Sequence, residues 1–281
     1  MKTLESLISI NLDFIILGLI VVFFTLEQVL GTQFKFNRRL HHLSHNFLMY
    51  AVLFVLNLFW AGVVVFTVNW FTEHQLGLLY LVEIPLWVTF LLGIAVYDLS
   101  SYWFHRAAHF LPLVWRFHRV HHSDTTMDST TFLRGHPLET MFWFGFSAIV
   151  ASAVFGLDLK TLGIYYFILI PMLFLEHANF KYPKWLDKTL GLIITTPNLH
   201  KVHHEQDEYY TNSNYADIFI FWDRLFGTFK HKPVEDITFG LQEFNAPEKQ
   251  TFWYLIISPF LNIKRIPSKG KINNSCKNQL K

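Results

Sequence analysis

Long apolar runs alternate with polar, histidine-rich segments along this chain of 281 residues. Three runs, at 7–30, 47–71 and 78–97, approach or exceed the ~20 apolar residues with which an α-helix spans a bilayer. Two shorter runs, at 140–157 and 161–175, are separated by a brief polar turn. The pattern predicts an all-α integral membrane protein with five membrane-embedded helices. It leaves open whether the last two cross the bilayer or form a re-entrant hairpin.

The composition agrees with a membrane protein. Hydrophobic residues make up 52% of the chain and charged residues 16%, which is too apolar for an ordinary soluble domain. The first run could instead be a signal peptide, but it contains Asp13 and Glu27 and lacks a clear small-residue cleavage site. We therefore expect it to be a retained helix.

The lysines and arginines predict how the runs are oriented. Lys35, Arg38 and Arg39 follow the first run, whereas the connection at 72–77 contains neither lysine nor arginine. By the positive-inside rule, the first connection is cytoplasmic and the second lies outside. All the histidine-rich segments then fall on the cytoplasmic side, so we expect a multi-pass protein with a cytoplasmic helical cap and one site.

The sequence shows no linker that would separate a second, soluble domain from the membrane helices. Residues 1–97 are predicted to form transmembrane helices 1–3, and residues 98–281 a histidine-box region with a membrane hairpin at 140–175 and a polar C-terminal tail. The net charge of +2 gives no reason to expect nucleic acid as a partner. The single cysteine, Cys276, excludes a metal site built from several thiolates.

Histidines recur at helical spacing in the polar segments. The stretch FHRVHH at 117–122 is nearly repeated as LHKVHH at 199–204, and FHRAAH at 104–109 precedes the first copy. Positions i, i+3 and i+4 of a helix share a face, so each box is a partial coordination sphere. Eight imidazoles are too many for one ion, and two metal ions are the natural number.

The spacing also tests particular chemistries. A zinc peptidase helix carries H-E-x-x-H, but here Arg106 occupies the position of the glutamate base. Haem takes its axial ligands singly, not as triplets on one face. Iron used for oxygen chemistry fits better. The scattered His41, His42, His45, His74 and His231 are expected to be ordinary surface or core residues.

The boxes and their surroundings resemble a known family. The segments are YDLSSYWFHRAAH (97–109), LVWRFHRVHHSD (113–124), FLRGHPLE (132–139), EHANF (176–180), TTPNLHKVHH (195–204) and NYADIFIFWDRLFGTF (214–229). They are similar to the fatty acid hydroxylase and sterol desaturase superfamily of membrane di-iron enzymes. The resemblance implies nine iron ligands, which are His105, His109, His118, His121, His122, His177, His200, His203 and His204.

His136 is a further candidate in the same region. Because Pro137 follows it at a predicted helix start, it could be a ligand, a partner of a ligand or part of a structural turn. Glu139 and Glu176 are candidate acceptors that would fix the tautomer of an imidazole.

The resemblance implies oxygen-dependent hydroxylation or desaturation of a membrane lipid, such as a sterol, a fatty acyl chain or a carotenoid. The implied cofactors are two iron ions, with molecular oxygen as co-substrate. The chain has no G-x-G-x-x-G nucleotide fingerprint, so we expect an external electron donor, either a ferredoxin, a cytochrome b5 or a flavoprotein. The lipid is expected to reach the site sideways from the bilayer.

Two other classes of function remain open at this point. A metal-dependent lipid hydrolase or isomerase would use the same site without oxygen. A metal transporter would need polar residues inside its spans. The second and third runs offer little beyond Asn57, Asn69 and Glu83, and this weakens the transporter hypothesis.

Overall fold

The computed structural model describes residues 12–36 and 38–266, with side chains from Phe14 onward. The side chain of Asp13, Cys276 and the polar C-terminal tail lie outside these ranges. The described chain is helical, with two isolated β-bridges, Thr32 to Phe180 and Glu205 to Phe239, and no longer strand among the residues described.

Long helices form a bundle, and a shorter helix, α4, lies at one end of it. The helices are α1 (Leu12–Leu30), α2 (Arg39–Glu73), α3 (Leu86–Phe110), α4 (Pro112–His122), α5 (Pro137–Phe155) and α6 (Leu159–His177). Within the described ranges, α2, α3, α5 and α6 are long and apolar enough to cross a membrane, and the apolar part of α1 is shorter. The structure therefore offers four candidate spans where the sequence predicts five embedded helices.

The third run differs most from its prediction. The sequence predicts a helix at 78–97, but a short 3₁₀ turn at Leu78–Leu81 precedes α3, which begins only at Leu86. Pro85 lies at the N-cap of α3 because proline has no backbone N–H to donate inside a helix. The helix then continues through the first histidine pair to Phe110, so one rigid element joins the apolar bundle to the site.

The two ends of the bundle differ in character. At one end Gly77, with φ 124°, approaches the backbone of Gly156 so closely that a side chain on Gly77 would collide with it. At the other end the buried carboxylate of Glu27 accepts the backbone N–H groups of Ser129 and Asn179 and pairs with Arg39. Glu27 thereby fixes α1 to the end of the bundle that carries the histidines.

Short helices and turns cover that end. They are α7 (Lys184–Thr189), α8 (Pro197–His203), α9 (Glu208–Thr211), α10 (Phe221–Leu225) and α11 (Phe252–Ile257). Two buried carboxylates hold the connection between α9 and α10 in place. Asp98 of α3 accepts the N–H groups of Ile218 and Phe219, and Asp223 accepts those of Tyr215 and Ala216.

Candidate metal centre

The histidines of the site come from four helix ends that meet at one end of the bundle. His105 and His109 lie in the last two turns of α3. Pro112, at the first position of α4, follows extended Leu111, so the chain turns sharply and α4 faces α3. The remaining ligand candidates lie on α4, at the last residue of α6, and on α8 or directly after it, and they are His118, His121, His122, His177, His200, His203 and His204.

These nine histidines form two groups of side chains that could each hold an ion. The first group is His105, His109, His118, His122 and His203, and the second is His121, His177, His200 and His204. Within each group one ring nitrogen per residue lies within 4.8 Å of the others. The structure thus brings together all nine histidines that the sequence analysis names as ligands, in two clusters.

Each histidine triplet divides between the two groups. His118 and His122, at i and i+4, belong to the first group, whereas His121, at i+3, belongs to the second. In the second copy the assignment is reversed, because His200 and His204 join the second group and His203 the first. On a helix i+3 and i+4 lie about 100° apart, so one triplet can reach two centres. The repeated box therefore supplies both groups.

Hydrogen bonds that Nδ1 donates orient four imidazole rings of the first group. Nδ1 of His105 lies 2.6 Å from the carbonyl oxygen of Tyr215, and Nδ1 of His203 lies 2.6 Å from that of Ser213. Nδ1 of His109 is 3.2 Å from the side-chain oxygen of Asn212. His118 Nδ1 is 2.6 Å from a carboxylate oxygen of Glu139, as the sequence analysis expects of that residue. Each acceptor fixes the proton on Nδ1 and leaves Nε2 as a lone pair.

The resulting donor set fits a cation. Among the residues described, no hydrogen-bond partner lies near Nε2 of His105, His109 or His203, although all three atoms are buried. In the second group Nδ1 of His177 is 2.6 Å from the carbonyl of Leu173, and its Nε2 is 3.1 Å from Nε2 of His200. Buried lone pairs that face one another without a donor are costly, and a shared metal ion removes that cost.

The ionisation of the histidines agrees with this role. Burial lowers the pKa of His203 to about 3, and neighbouring His118 adds to the effect. Burial and nearby imidazoles likewise hold the pKa values of His121, His122, His200 and His204 well below the usual range. The rings are therefore neutral at physiological pH, which is the form that binds metals.

Two further carboxylates line a small cavity of about 60 Å³ between the groups. Glu176 is fully buried, and its oxygens lie 3.6 Å from Nδ1 of His200 and 3.8 Å from Nδ1 of His177, beyond hydrogen-bond distance. Asp217 accepts a hydrogen bond from Ser101, and burial raises the pKa of Asp217 to about 6. Trp143, which donates to the same Ser101 hydroxyl, also lines this cavity.

His136 lies outside both groups. Its Nδ1 accepts the backbone N–H of Leu138 at the start of α5, and its Nε2 is 3.1 Å from the carbonyl oxygen of Ile256. Both ring nitrogens of His136 thus have partners within the protein, which agrees with the alternative that His136 is part of a structural turn. His42 likewise belongs to another contact, 2.7 Å from Asp124, and His74 is exposed.

The hydrogen-bond acceptors of the histidines in the connection after α9 could not be predicted from the sequence. Tyr215 and Ser213 act through backbone carbonyls, which no side-chain pattern reveals. Asn212 could have been noticed only as one polar residue in the run TNSNYAD. Its role depends on the way Asp98 and Asp223 fold this segment onto α3.

A larger apolar cavity of about 550 Å³ adjoins the site. It lies between α2, α5 and α6, and Ile16 of α1 also contributes to it. Its α2 wall runs from Tyr50 to Val65, which corresponds to about 22 Å at the rise of an α-helix. Phe132, Thr140 and Phe144 line both this cavity and the small one among the histidines. The apolar space therefore leads to the two histidine groups.

Comparison with known proteins agrees with this arrangement. Residues 90–228, about half of the chain, match the sequence model of the fatty acid hydroxylase family, and the match contains all nine histidines. The chain belongs to the fatty acid hydroxylase family. No solved structure is significantly similar to it.

The names of the chain's relatives in this family indicate different lipid substrates. An alkylglycerol monooxygenase of Xenopus tropicalis is 32% identical over 188 residues, covering 59% of this chain and 38% of the relative. A very-long-chain aldehyde decarbonylase of Oryza sativa is 32% identical over 160 residues, 55% of this chain and 59% of the relative. An ornithine lipid hydroxylase of Rhizobium tropici is 30% identical over 155 residues, 53% of this chain and 44% of the relative. The chain spans about a third of the length of the alkylglycerol monooxygenases it matches.

Proposed function

We propose that this protein hydroxylates a membrane lipid with molecular oxygen, at a site that holds two iron ions. The observation that carries the proposal is the convergence of nine histidines, most of them buried, in two groups beside a long apolar cavity. The family match and the lipid-modifying relatives support it.

The proposed ligands are the nine grouped histidines. Imidazole suits iron among other transition metals, and thiolates are absent from the described site. Two bound irons would supply the activation of dioxygen that an unactivated C–H bond requires. The imidazoles donate hydrogen bonds to Glu139, to Asn212 and to the carbonyls of Tyr215 and Ser213, which hold the rings in the orientation needed for this purpose.

The apolar cavity is the proposed site of the lipid chain. Several of its α2 residues, such as Leu58 and Val65, are also exposed on the outer surface of the bundle. A chain can therefore enter from the bilayer between helices without crossing water. Its reactive carbon would lie near Thr140 and Phe144, where the cavity meets the histidines. The apolar walls exclude bulk water from that position.

The geometry favours a single alkyl or acyl chain over a broad ring system. The cavity follows one helix face, and the residues that line it on α2 recur at helical spacing from Tyr50 onward. A fatty acyl or alkyl lipid matches this elongated form better than a sterol does.

We also propose the orientation and the organisation of the protein. The histidine end of the bundle lies on the cytoplasmic side, where the positive-inside rule places it. α2, α3, α5 and α6 cross the bilayer, and the region at 98–281 forms one domain with the helices before it. Each turnover takes two electrons from a separate redox protein.

Elemental analysis of the detergent-purified protein, together with oxygen uptake under a chemical reductant, tests this proposal. We expect close to two irons per chain and uptake that depends on reductant and increases with an added alkyl or acyl lipid. Zinc alone, with no uptake after iron reconstitution, would contradict the oxygenase and favour a lipid hydrolase. Hydrolase activity would persist without oxygen, which separates the two.

A further inference from the structure

One aromatic side chain connects the first histidine group with the surface. The ring of Trp115, on the first turns of α4, lies 5.0 Å from the ring of His109, 5.6 Å from that of His122 and 6.1 Å from that of His118, measured between centroids. Trp115 is partly exposed, as is His109. In the second group His177, His200 and His204 are buried, and His121 is partly exposed. The first group is thus accessible from outside at Trp115.

One cationic residue covers Trp115, and two more are its neighbours or those of Arg265 in sequence. The guanidinium of Arg265 lies over the ring of Trp115, 4.8 Å from the centroid. Arg116 is the next residue of α4, and Lys264 is exposed beside Arg265. Arg265 pairs with Glu208, but within the described part of the chain neither Arg116 nor Lys264 has a carboxylate within ion-pair distance.

We propose that electrons reach the histidine site through Trp115, from a one-electron carrier protein with an acidic surface that docks on Arg116, Lys264 and Arg265. This inference rests on the proposed function. Each docking transfers one electron and releases the oxidised carrier. Two electrons and two protons convert one atom of dioxygen to water while the other atom enters a C–H bond of the lipid.

The charge of the surface favours this partner. Complementary charge steers the encounter between proteins and accelerates association, an effect that salt weakens. A one-electron carrier needs fast, short-lived docking, and a small charged surface around an aromatic contact provides this. Trp115 is here a positioning and relay residue, because it touches the histidines and does not touch the lipid cavity.

The test measures electron delivery directly. The iron-loaded chain of 281 residues in detergent is mixed anaerobically with a reduced, acidic [2Fe–2S] ferredoxin, and ferredoxin oxidation is followed by absorbance. We expect Trp115→Leu to lower the second-order rate at least about tenfold, while Trp115→Phe retains most of it. Trp185→Leu, which removes an exposed tryptophan of α7, is the matched control and should leave the rate unchanged.

Charge variants test the docking surface separately. Lys264→Gln combined with Arg265→Gln should lower the rate several-fold at low ionic strength and flatten its dependence on salt. Iron content and the rate of reduction by dithionite should stay as in the wild type. An unchanged ferredoxin rate would overturn the docking proposal and would leave anionic lipid headgroups as the target of these cations.

The outcomes distinguish the two proposals. If the wild-type protein binds no iron, or if dithionite does not reduce it, the proposed function fails. If the wild type accepts electrons and Trp115→Leu accepts them equally fast, only the route through Trp115 fails. If Trp115→Leu loses its iron, the test depends on Trp115→Phe and on the charge variant. Wild-type rates of ferredoxin oxidation in both of these variants would overturn the inference.

Discussion

The role of a single histidine here depends on which of its two ring nitrogens have hydrogen-bond partners within the protein. In His105 and His203 a backbone carbonyl holds Nδ1 and leaves Nε2 without a protein partner. In His136 both nitrogens have partners within the protein. Residue type and helical spacing predict that such histidines cluster, but they cannot separate a histidine of the first kind from one of the second. That distinction depends on acceptors that are remote in sequence.

This difference gives a prediction at the residue scale. His203→Ala should lower the iron content by about one equivalent or more and abolish lipid hydroxylation, because it removes one of the five imidazoles of the first group. Membrane insertion should persist, since the apolar helices do not depend on that ring. Elemental analysis and a hydroxylation assay measure both effects.

His136→Ala is the matched control, because it removes a buried imidazole of the same region. It should retain the full iron content and lose stability through the contacts to Leu138 and Ile256. Iron loss in His136→Ala equal to that in His203→Ala would contradict the division drawn between the two residues.

At the scale of elements, hydrophobic runs locate the helices well and their ends less well. The hairpin predicted at 140–157 and 161–175 corresponds to α5 and α6. The predicted start of the third helix, at residue 78, was wrong. Pro85 and the close contact of Gly77 with Gly156 delay the start of α3 to Leu86. The division of each triplet between two groups was also not predictable, since it depends on how α4 and α8 face each other across the site.

The anchor of α1 gives a second prediction. Glu27→Ala leaves the N–H groups of Ser129 and Asn179 without their acceptor and removes one of the two carboxylates that pair with Arg39, so it should cost about 3–5 kcal/mol of stability. Thermal unfolding in detergent and hydrogen exchange of α1 are suitable measurements. Glu73→Ala, which removes an exposed carboxylate at the far end of α2, should have almost no effect. Equal effects of the two substitutions would refute the anchoring role of Glu27.

The contact of α5 with α2 gives a third prediction. A Cβ at Gly145 would lie 2.1 Å from Nε1 of Trp60, and both residues line the apolar cavity. Gly145→Val should therefore displace Trp60, narrow the cavity and reduce turnover of long-chain lipids about tenfold or more, with iron content unchanged. Gly62→Val is the control, because its Cβ meets open space. Unaltered long-chain turnover in Gly145→Val would mean that the lipid binds elsewhere.

At the scale of the whole molecule, the fold serves to bring helix ends from distant parts of the chain to one place. α3, α4, α6 and α8 each contribute histidines there, and the apolar cavity between α2, α5 and α6 ends at the same point. The sequence predicts the cluster, its ligand types and an apolar approach from the bilayer. It does not predict the cavity, whose walls come from four helices and are ordinary aliphatic and aromatic residues.

The most direct test of lipid hydroxylation by this site is isotopic. Reduced, iron-loaded protein is incubated with an alkyl or acyl lipid under ¹⁸O₂, and the products are analysed by mass spectrometry. We expect one ¹⁸O atom in the hydroxylated lipid and no product in the absence of dioxygen. A product that forms without dioxygen, or whose new oxygen comes from water, would show that the nine histidines serve a hydrolytic reaction and not an oxygenase.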